Sequence, residues 1–200
     1  MAKLIALGLA MDESELIWRS KQGDLDSFNR LVELYQRQAY NLARRMLGQV
    51  EAAEDATQDA FLSAWKGIRG FRQGNFRAWL LRIVANACKD QLRARRRRPA
   101  ISTDELEPEA LPSGGESPED YVLRRELAAE IQRGLASLPP DQRLAVILRD
   151  LQGLSYEEIA QAMASSLGTV RSRLSRGRAH LRDYLLRRGE LLGSQFRLNK

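Results

Sequence analysis

The chain is short of most of the residues on which catalysis, metal binding and secretion depend. Its single cysteine, Cys88, excludes an internal disulfide, and its single histidine, His180, cannot complete a Cys/His metal site with it. A cytosolic, metal-free protein is expected. Aromatic residues make up only 6% of the sequence against 44% hydrophobic and 29% charged residues, a balance that suits a helix-rich protein better than a β-sandwich. No Ser/His/Asp or Cys/His arrangement and no glycine-rich phosphate loop occurs with its required partners, so the sequence offers little to an enzyme and calls for no cofactor. Long apolar runs are missing as well. Lys3 to Met11 carries one basic residue and an apolar run too short to span a bilayer, with no cleavage-like sequence behind it; it reads as a frayed leader before a second candidate start at Met11.

What the chain does have is charge, unevenly spread. Its 200 residues hold 32 Lys+Arg against 26 Asp+Glu, a formal net charge of +6, which favours a polyanionic partner. Residues 1–98 hold 18 basic and 11 acidic groups (+7), residues 99–120 none and 7 (−7), and residues 121–200 hold 14 and 8 (+6). Two basic blocks flank an acidic tether.

Helical signals follow one another from Asp12. Asp12 can cap a helix to about Lys21, Gly23 ends it, and Asp24 or Asp26 starts the next. In that second helix Phe28, Leu31, Val32, Tyr35, Ala39, Leu42, Ala43 and Met46 recur at three- and four-residue steps up to Gly48. A third helix, roughly Glu51 to Lys66, sets Ala53, Ala56, Ala60, Ala64 and Trp65 near one face and Asp55, Gln58 and Asp59 on another. Gly67 to Gly74 is a turn or loop. Asn75 caps a fourth helix to about Arg98, with Phe76, Trp79, Leu80, Ile83, Val84 and Ala87 inward and a basic face of Arg82, Asn86, Lys89, Arg93 and Arg97. Pro99 to Pro118 holds four prolines, two adjacent glycines and only acidic charges, the mark of a linker. Beyond it lie helices at about 119–137 and 141–151, separated by Pro139-Pro140 and closed by Gly153.

Leu154 to Arg178 is the most informative stretch. Ser155-Tyr156-Glu157-Glu158 has the spacing of a capping box, followed by apolar Ile159, Ala160 and Met163. Ala164-Ser165-Ser166 makes a turn, and Ser166 can cap again. Leu167, Val170, Leu174, Leu181 and Leu185 supply an inward stripe, with Thr169, Arg173, Arg176 and His180 outward. A short helix, a three-residue turn and a second helix with a basic outer face form the helix-turn-helix pattern, whose second helix enters the major groove.

At this point LSYEEIAQAMASSLGTVRSRLSRGRAHLR (154–182) resembles the fourth domain of the extracytoplasmic-function sigma factors, the compact alternative sigma subunits of bacterial RNA polymerase. AEDATQDAFLSAWKGIRGFRQGNFRAWLLRIVANACKDQLR (53–93) resembles their second domain, and the likeness runs over roughly residues 12–187 in the family's order. It implies an all-α fold of two small helical domains, residues 12–98 and 119–188, joined by a flexible acidic linker over 99–118. It also implies core RNA polymerase and promoter DNA as partners, with no small-molecule substrate and no membrane insertion. A cognate anti-sigma factor is expected, since many relatives are held by a membrane-anchored one.

The resemblance assigns roles by position. Asp55, Gln58 and Asp59 match the face that grips the coiled coil of the polymerase's largest subunit. The loop Phe71 to Asn75 and the helix after it match the element that opens the −10 region and holds an extruded base, which nominates Arg72, Asn75, Arg77, Arg82, Asn86, Lys89, Arg93 and Arg97. The helix from Leu167 matches the −35 reader, which nominates Ser166, Thr169, Arg171, Ser172, Arg173 and Arg176. Physical reasoning agrees: strand opening needs cations along one backbone, and duplex readout needs Arg forks toward guanine edges. Two departures stand out. Ala164 occupies a turn position where glycine is common, at a cost of roughly 1 kcal/mol unless the turn adjusts, and the loop between Phe71 and Phe76 is about one residue shorter than in many relatives.

Plainer readings compete at several positions. Arg95 to Arg98 suits a solvated helix end, but five arginines within residues 93–98 exceed what capping needs. Trp65 and Trp79 read as core, Cys88 as a small buried hydrophobe and His180 as a surface or DNA-edge residue. The competing function is an operator-binding regulator with a sensing N-terminal half, which usually dimerises to span half-sites. A helical scaffold or RNA-binding protein explains the charge but not the ordered turn and caps.

Overall fold

A computed structural model describes residues 12–72, 74–97 and 117–196, with 118, 119 and 189–196 described by backbone alone. The expectations for the leader and for most of the acidic linker therefore fall outside the described residues, as does that for Arg98. Within the described residues every regular element is helical: α1 (Glu13–Lys21), α2 (Leu25–Leu47), α3 (Val50–Gly67), a 3₁₀ turn (Ile68–Gly70), α4 (Phe76–Arg97), α5 (Pro118–Ser137), α6 (Pro140–Val146), a π turn (Ile147–Leu151), α7 (Tyr156–Met163) and α8 (Leu167–Phe196).

Local signals start and stop these helices. The Asp24 carboxylate accepts from the amides of Asp26 and Ser27 and from the Ser27 hydroxyl, the last at 2.7 Å. These bonds, the Ser27 hydroxyl foremost, hold its carboxyl below the ordinary value. Asp12 stands at the N-cap of α1 but its side chain makes no capping bond. Gly48, at φ 82°, closes α2 by donating to the Arg44 carbonyl. The Asn75 side chain accepts from the Ala78 amide at 2.9 Å and so starts α4.

Helices α1 to α4 enclose an aromatic cluster. Phe28, Leu31, Ile68, Phe71, Phe76 and Leu80 are buried with Ala64, and Tyr35, Trp65 and Trp79 pack on its edge. Ring centroids lie 5.0 Å apart for Phe28–Trp65 and 5.3 Å for Phe76–Trp79, within the range of favourable tilted aromatic pairs. Both tryptophans thus serve packing. The alanines of α3 (Ala52, Ala53, Ala56, Ala60 and Ala64) are buried, and their small side chains let α2 and α4 approach α3 closely.

A second cluster is continuous from Ala39, Leu42, Met46, Leu81, Val84 and Cys88 in the N-terminal half to Leu135, Leu144, Leu148, Ile159, Val170 and Leu174 in the C-terminal half. The two halves therefore share buried apolar surface. Burial pushes the Cys88 thiol up to about 12, as expected for a packed hydrophobe and not a reactive thiolate. The shared surface also widens the buried face of α4: Ala78, Leu81, Ala85 and Cys88 are buried, whereas the expected inward residues Trp79, Ile83 and Ala87 are only half-buried. A single-helix stripe could not anticipate α7 packing along α4. Leu167, expected inward, is 38% exposed because α8 begins there, ahead of its contact with the core.

The C-terminal half is held by close helix crossings. A Cβ on Gly134 would lie 2.7 Å from Leu181 Cδ1, and one on Gly177 would lie 2.9 Å from Val146 Cγ2 and 3.2 Å from the Gln142 carbonyl oxygen. At Gly177 a Cβ would press on α6 backbone, so glycine sets that crossing, whereas at Gly134 the Leu181 and Tyr184 side chains would have to shift. Beneath them the buried Arg143 donates to the carbonyls of Met46, Ala136 and Leu138, and Gln132 donates to the Arg45 carbonyl at 3.2 Å. The last carbonyls of α2, unpaired within their own helix, are thus satisfied by donors from α5 and α6. The helix expected over 141–151 is α-helical only to Val146; the π turn that follows brings the Gln152 amide to the Gln38 carbonyl at 3.0 Å.

Candidate nucleic-acid interface

The helix-turn-helix is built by three local devices. Ser155 and Glu158 form the reciprocal capping box, with Ser155 N to Glu158 Oε2 at 2.7 Å and Glu158 N to Ser155 Oγ at 3.1 Å. Ala164 takes the left-handed conformation, φ 47° and ψ 50°, while its amide bonds to the Gln161 carbonyl and that of Ser165 to Ala160, a Schellman ending. The turn keeps its geometry despite the missing glycine. Ser166 Oγ then accepts from the Thr169 amide at 3.2 Å and pairs with Thr169 Oγ1 at 2.9 Å.

These devices set the expected −35 residues on the first turns of α8. Ser166, Arg171, Ser172 and Arg176 are exposed, and Thr169 and Arg173 are half-buried. Arg176 lies back on Ser172, bonding its carbonyl at 3.2 Å and its hydroxyl at 3.3 Å. Arg173 does not reach outward freely: it pairs with Asp141 at 2.7 Å. His180 is exposed. A second row runs from Arg171 to residues that the sequence reading did not nominate. Tyr156, Arg171, Ser175, Arg178 and Arg182 line an open hollow of about 630 Å³, with the guanidinium of Arg149 5.1 Å above the Tyr156 ring and Arg178 forked onto Asp150 at 3.0 and 2.5 Å. The Asp150 carboxylate raises the Arg178 pKa. The spacing 171, 175, 178, 182 was in the sequence, but of that row only Arg171 had been nominated.

The expected −10 residues do share α4 and the turn before it, but in different states. Arg72, Arg82, Asn86, Arg93 and Arg97 are exposed. Asn75 donates to Glu158 Oε1 at 2.5 Å, Arg77 to Gln38 Oε1 at 2.7 Å and to the Gln152 carbonyl at 2.5 Å, and Lys89 pairs with Asp141 at 2.8 Å. Burial raises the carboxyl pKa of Asp141, but Lys89, Arg173 and Arg93 together carry it below the ordinary value, so it is ionised at neutral pH. On α3, Asp55, Gln58 and Asp59 are all exposed, opposite the alanine ladder, and Leu62 stands among them at 52% exposed. Leu62 lies three residues after Asp59 and four after Gln58, so the same spacing places it on this face, although only the polar residues had been nominated.

Family comparison bears directly on this arrangement. The Sigma-70 region 2 model matches residues 31–98, covering all of α3 and α4 and most of α2, and the Sigma-70 region 4 model matches residues 128–181, covering the helix-turn-helix. The ECF RNA polymerase sigma-E factor of Escherichia coli strain K12 is 40% identical over 175 residues, 84% of this chain and 91% of the relative. The chain belongs to the ECF sigma factors. The ECF RNA polymerase sigma factor SigE of Mycolicibacterium smegmatis is also 40% identical, over 82% of this chain, and the match spans 63% of that longer relative. Among solved structures, the sigma factor RpoE of Bartonella quintana, crystallised with the anti-sigma factor NepR, matches with a TM-score of 0.63 at 28% identity over 79% of this chain and 96% of that one. The sigma factor family is not a catalytic one. No helix among the described residues is long and apolar enough to cross a membrane.

Proposed function

We propose that the chain directs promoter-specific transcription initiation by joining core RNA polymerase and carrying two separate DNA-reading elements, residues 12–98 for −10 and residues 119–188 for −35, in the cytoplasm. The observation that carries this reading is the pairing of the two family matches with two distinct cationic helices, α4 and α8, on which the residue types suited to each task are found. On α8, Arg171 and Arg176 supply planar donors suited to guanine edges, and Ser166, Thr169 and Ser172 supply hydroxyls for phosphates at the helix N-terminus, with Arg173 available once it leaves Asp141. On α4 and the turn before it, Arg72, Asn75, Arg77, Arg82, Asn86, Lys89, Arg93 and Arg97 track a separated strand.

The α3 face of Asp55, Gln58, Asp59 and Leu62 is the polymerase contact: polar groups surround one apolar anchor, the composition of a small protein interface. An anti-sigma factor is the natural restraining partner, as NepR is for the Bartonella relative. Co-elution of the purified chain with core RNA polymerase tests the reading. Stable co-elution that weakens when Leu62 becomes Asp supports it, whereas no association with core at any salt concentration overturns it.

A further inference from the structure

We infer that Trp18, on α1, is a stacking platform for an unpaired base of the separated promoter strand, a contact beyond the turn that precedes α4. The inference rests on the −10 reading of α4 and adds a residue which that reading leaves out. Trp18 is 58% exposed, whereas Trp65 and Trp79 are half-buried against the aromatic cluster. An indole presented to water by a fixed helix offers a large flat apolar surface, and every base has a π-face that such a surface accepts.

The contacts of α1 place Trp18 beside that turn. Lys21 follows it by three residues, so the two are neighbours on one helix face, and Lys21 Nζ donates to the Phe71 carbonyl at 2.9 Å. The loop Phe71 to Asn75 therefore begins at the edge of the surface on which Trp18 stands. Arg69 and Arg72, flanking Phe71, are exposed, and Arg69 Nη2 lies 3.8 Å from where a Cβ on Gly23 would stand, just past the end of α1. With Lys21 they form a cationic rim suited to the phosphates of a strand leaving α4, and this charge favours a nucleic acid over a protein side chain as the partner of the indole. Glu15, three residues before Trp18, is paired with Arg19 at 2.7 Å, and the Asp24 carboxylate is occupied in capping α2. The platform is also held still. Leu16 is buried and Ile17 packs on the aromatic cluster, and the Ser20 hydroxyl donates to the Leu16 carbonyl at 2.7 Å. Helix α1 is thus anchored before any strand arrives, which lowers the ordering cost of stacking.

The test uses the full chain assembled with core polymerase and a pre-melted promoter bubble that carries a single abasic site at each unpaired position in turn. Trp18→Ala should weaken binding to the intact bubble by about 5- to 150-fold, the range for losing one stacked base. Trp18→Phe, which keeps an aromatic face, should lose much less. At one position the abasic site should weaken the parent by a similar factor and Trp18→Ala no further, because the two changes remove the same contact. Melting temperature, co-elution with core polymerase and −35 preference should be unchanged in both variants, since the side chain is exposed and distant in sequence from the groups that serve them. Trp18→Ala bound as tightly as the parent, or weakened by the same factor on every abasic bubble, would overturn the platform. So would a loss confined to co-elution with core, which would make Trp18 a protein contact. A parent holoenzyme with no preference for the bubble over closed duplex would instead remove the −10 reading, and the platform with it.

Discussion

Replacing Ala164 with glycine should stabilise the protein, because Ala164 holds the left-handed conformation without any contact that needs its methyl group. It is the one non-glycine residue with positive φ among the described residues, at 47°, and it is exposed. A non-glycine residue gives up about 1–2 kcal/mol in this region, while glycine raises unfolded-chain entropy and returns about 0.4–1 kcal/mol. The net gain is about 0.5–1 kcal/mol, a rise in melting temperature of about 1–4 °C for a chain of this size. Thermal unfolding followed by circular dichroism measures it directly. Ala164→Val, with a branched Cβ in the same conformation, should move the melting temperature the other way. The Schellman bonds from Ala164 and Ser165 are backbone bonds and survive the change to glycine, so −35 preference should be unaltered. A glycine variant that melts at or below the parent temperature would show that the turn is not strained.

Three further outcomes follow from the site. Asp55→Ala combined with Gln58→Ala and Asp59→Ala should leave the melting temperature nearly unchanged and weaken co-purification with core polymerase, since all three side chains are exposed on one face. Arg176→Ala should cost about 1–3 kcal/mol at one −35 position, measured by footprinting, with opening preserved on a pre-melted promoter, while Arg93→Ala should slow permanganate-detected opening and leave −35 preference intact. The folded pKa of Asp141 lies below its ordinary value of 3.8, so its ion pairs contribute fully above that value and are lost as pH falls through the lower folded one. The difference in melting temperature between Asp141→Asn and the parent should therefore be constant from about pH 5 to 8 and shrink only in more acidic solution.

Local chemistry was legible in the sequence wherever one helix or turn determined the outcome. The Asp24 and Asn75 caps, the Ser155–Glu158 capping box, the Gly48 stop and the Ser166 cap all depend on residues within a few positions of one another, and each is found with its expected partner. The exposed α3 face was legible for the same reason, since its spacing reports one side of one helix. What the sequence did not disclose is contact between helices far apart in the chain. Lys89 and Arg173 looked like free cations because nothing near them in sequence points to Asp141, which sits 52 positions from the first and 32 from the second (141 − 89; 173 − 141). Arg143 drew no comment from the sequence, since its partners include a carbonyl 97 positions away. Arg178 and Arg182 were passed over because an α-helix with arginines on several faces offers more than one outward stripe, and only the positions of Tyr156 and Asp150 distinguish them.

The most direct test of the central claim is transcription reconstituted from core RNA polymerase, the purified full chain and a randomised promoter library, with start sites read by sequencing. The account predicts transcripts from a narrow set of templates sharing two separated elements at fixed spacing, with one element's preference relaxed by Arg176→Ala and initiation from the whole set reduced by Arg93→Ala. Transcription no more selective than that of core polymerase alone, from a chain shown to be folded and bound to core, would contradict it.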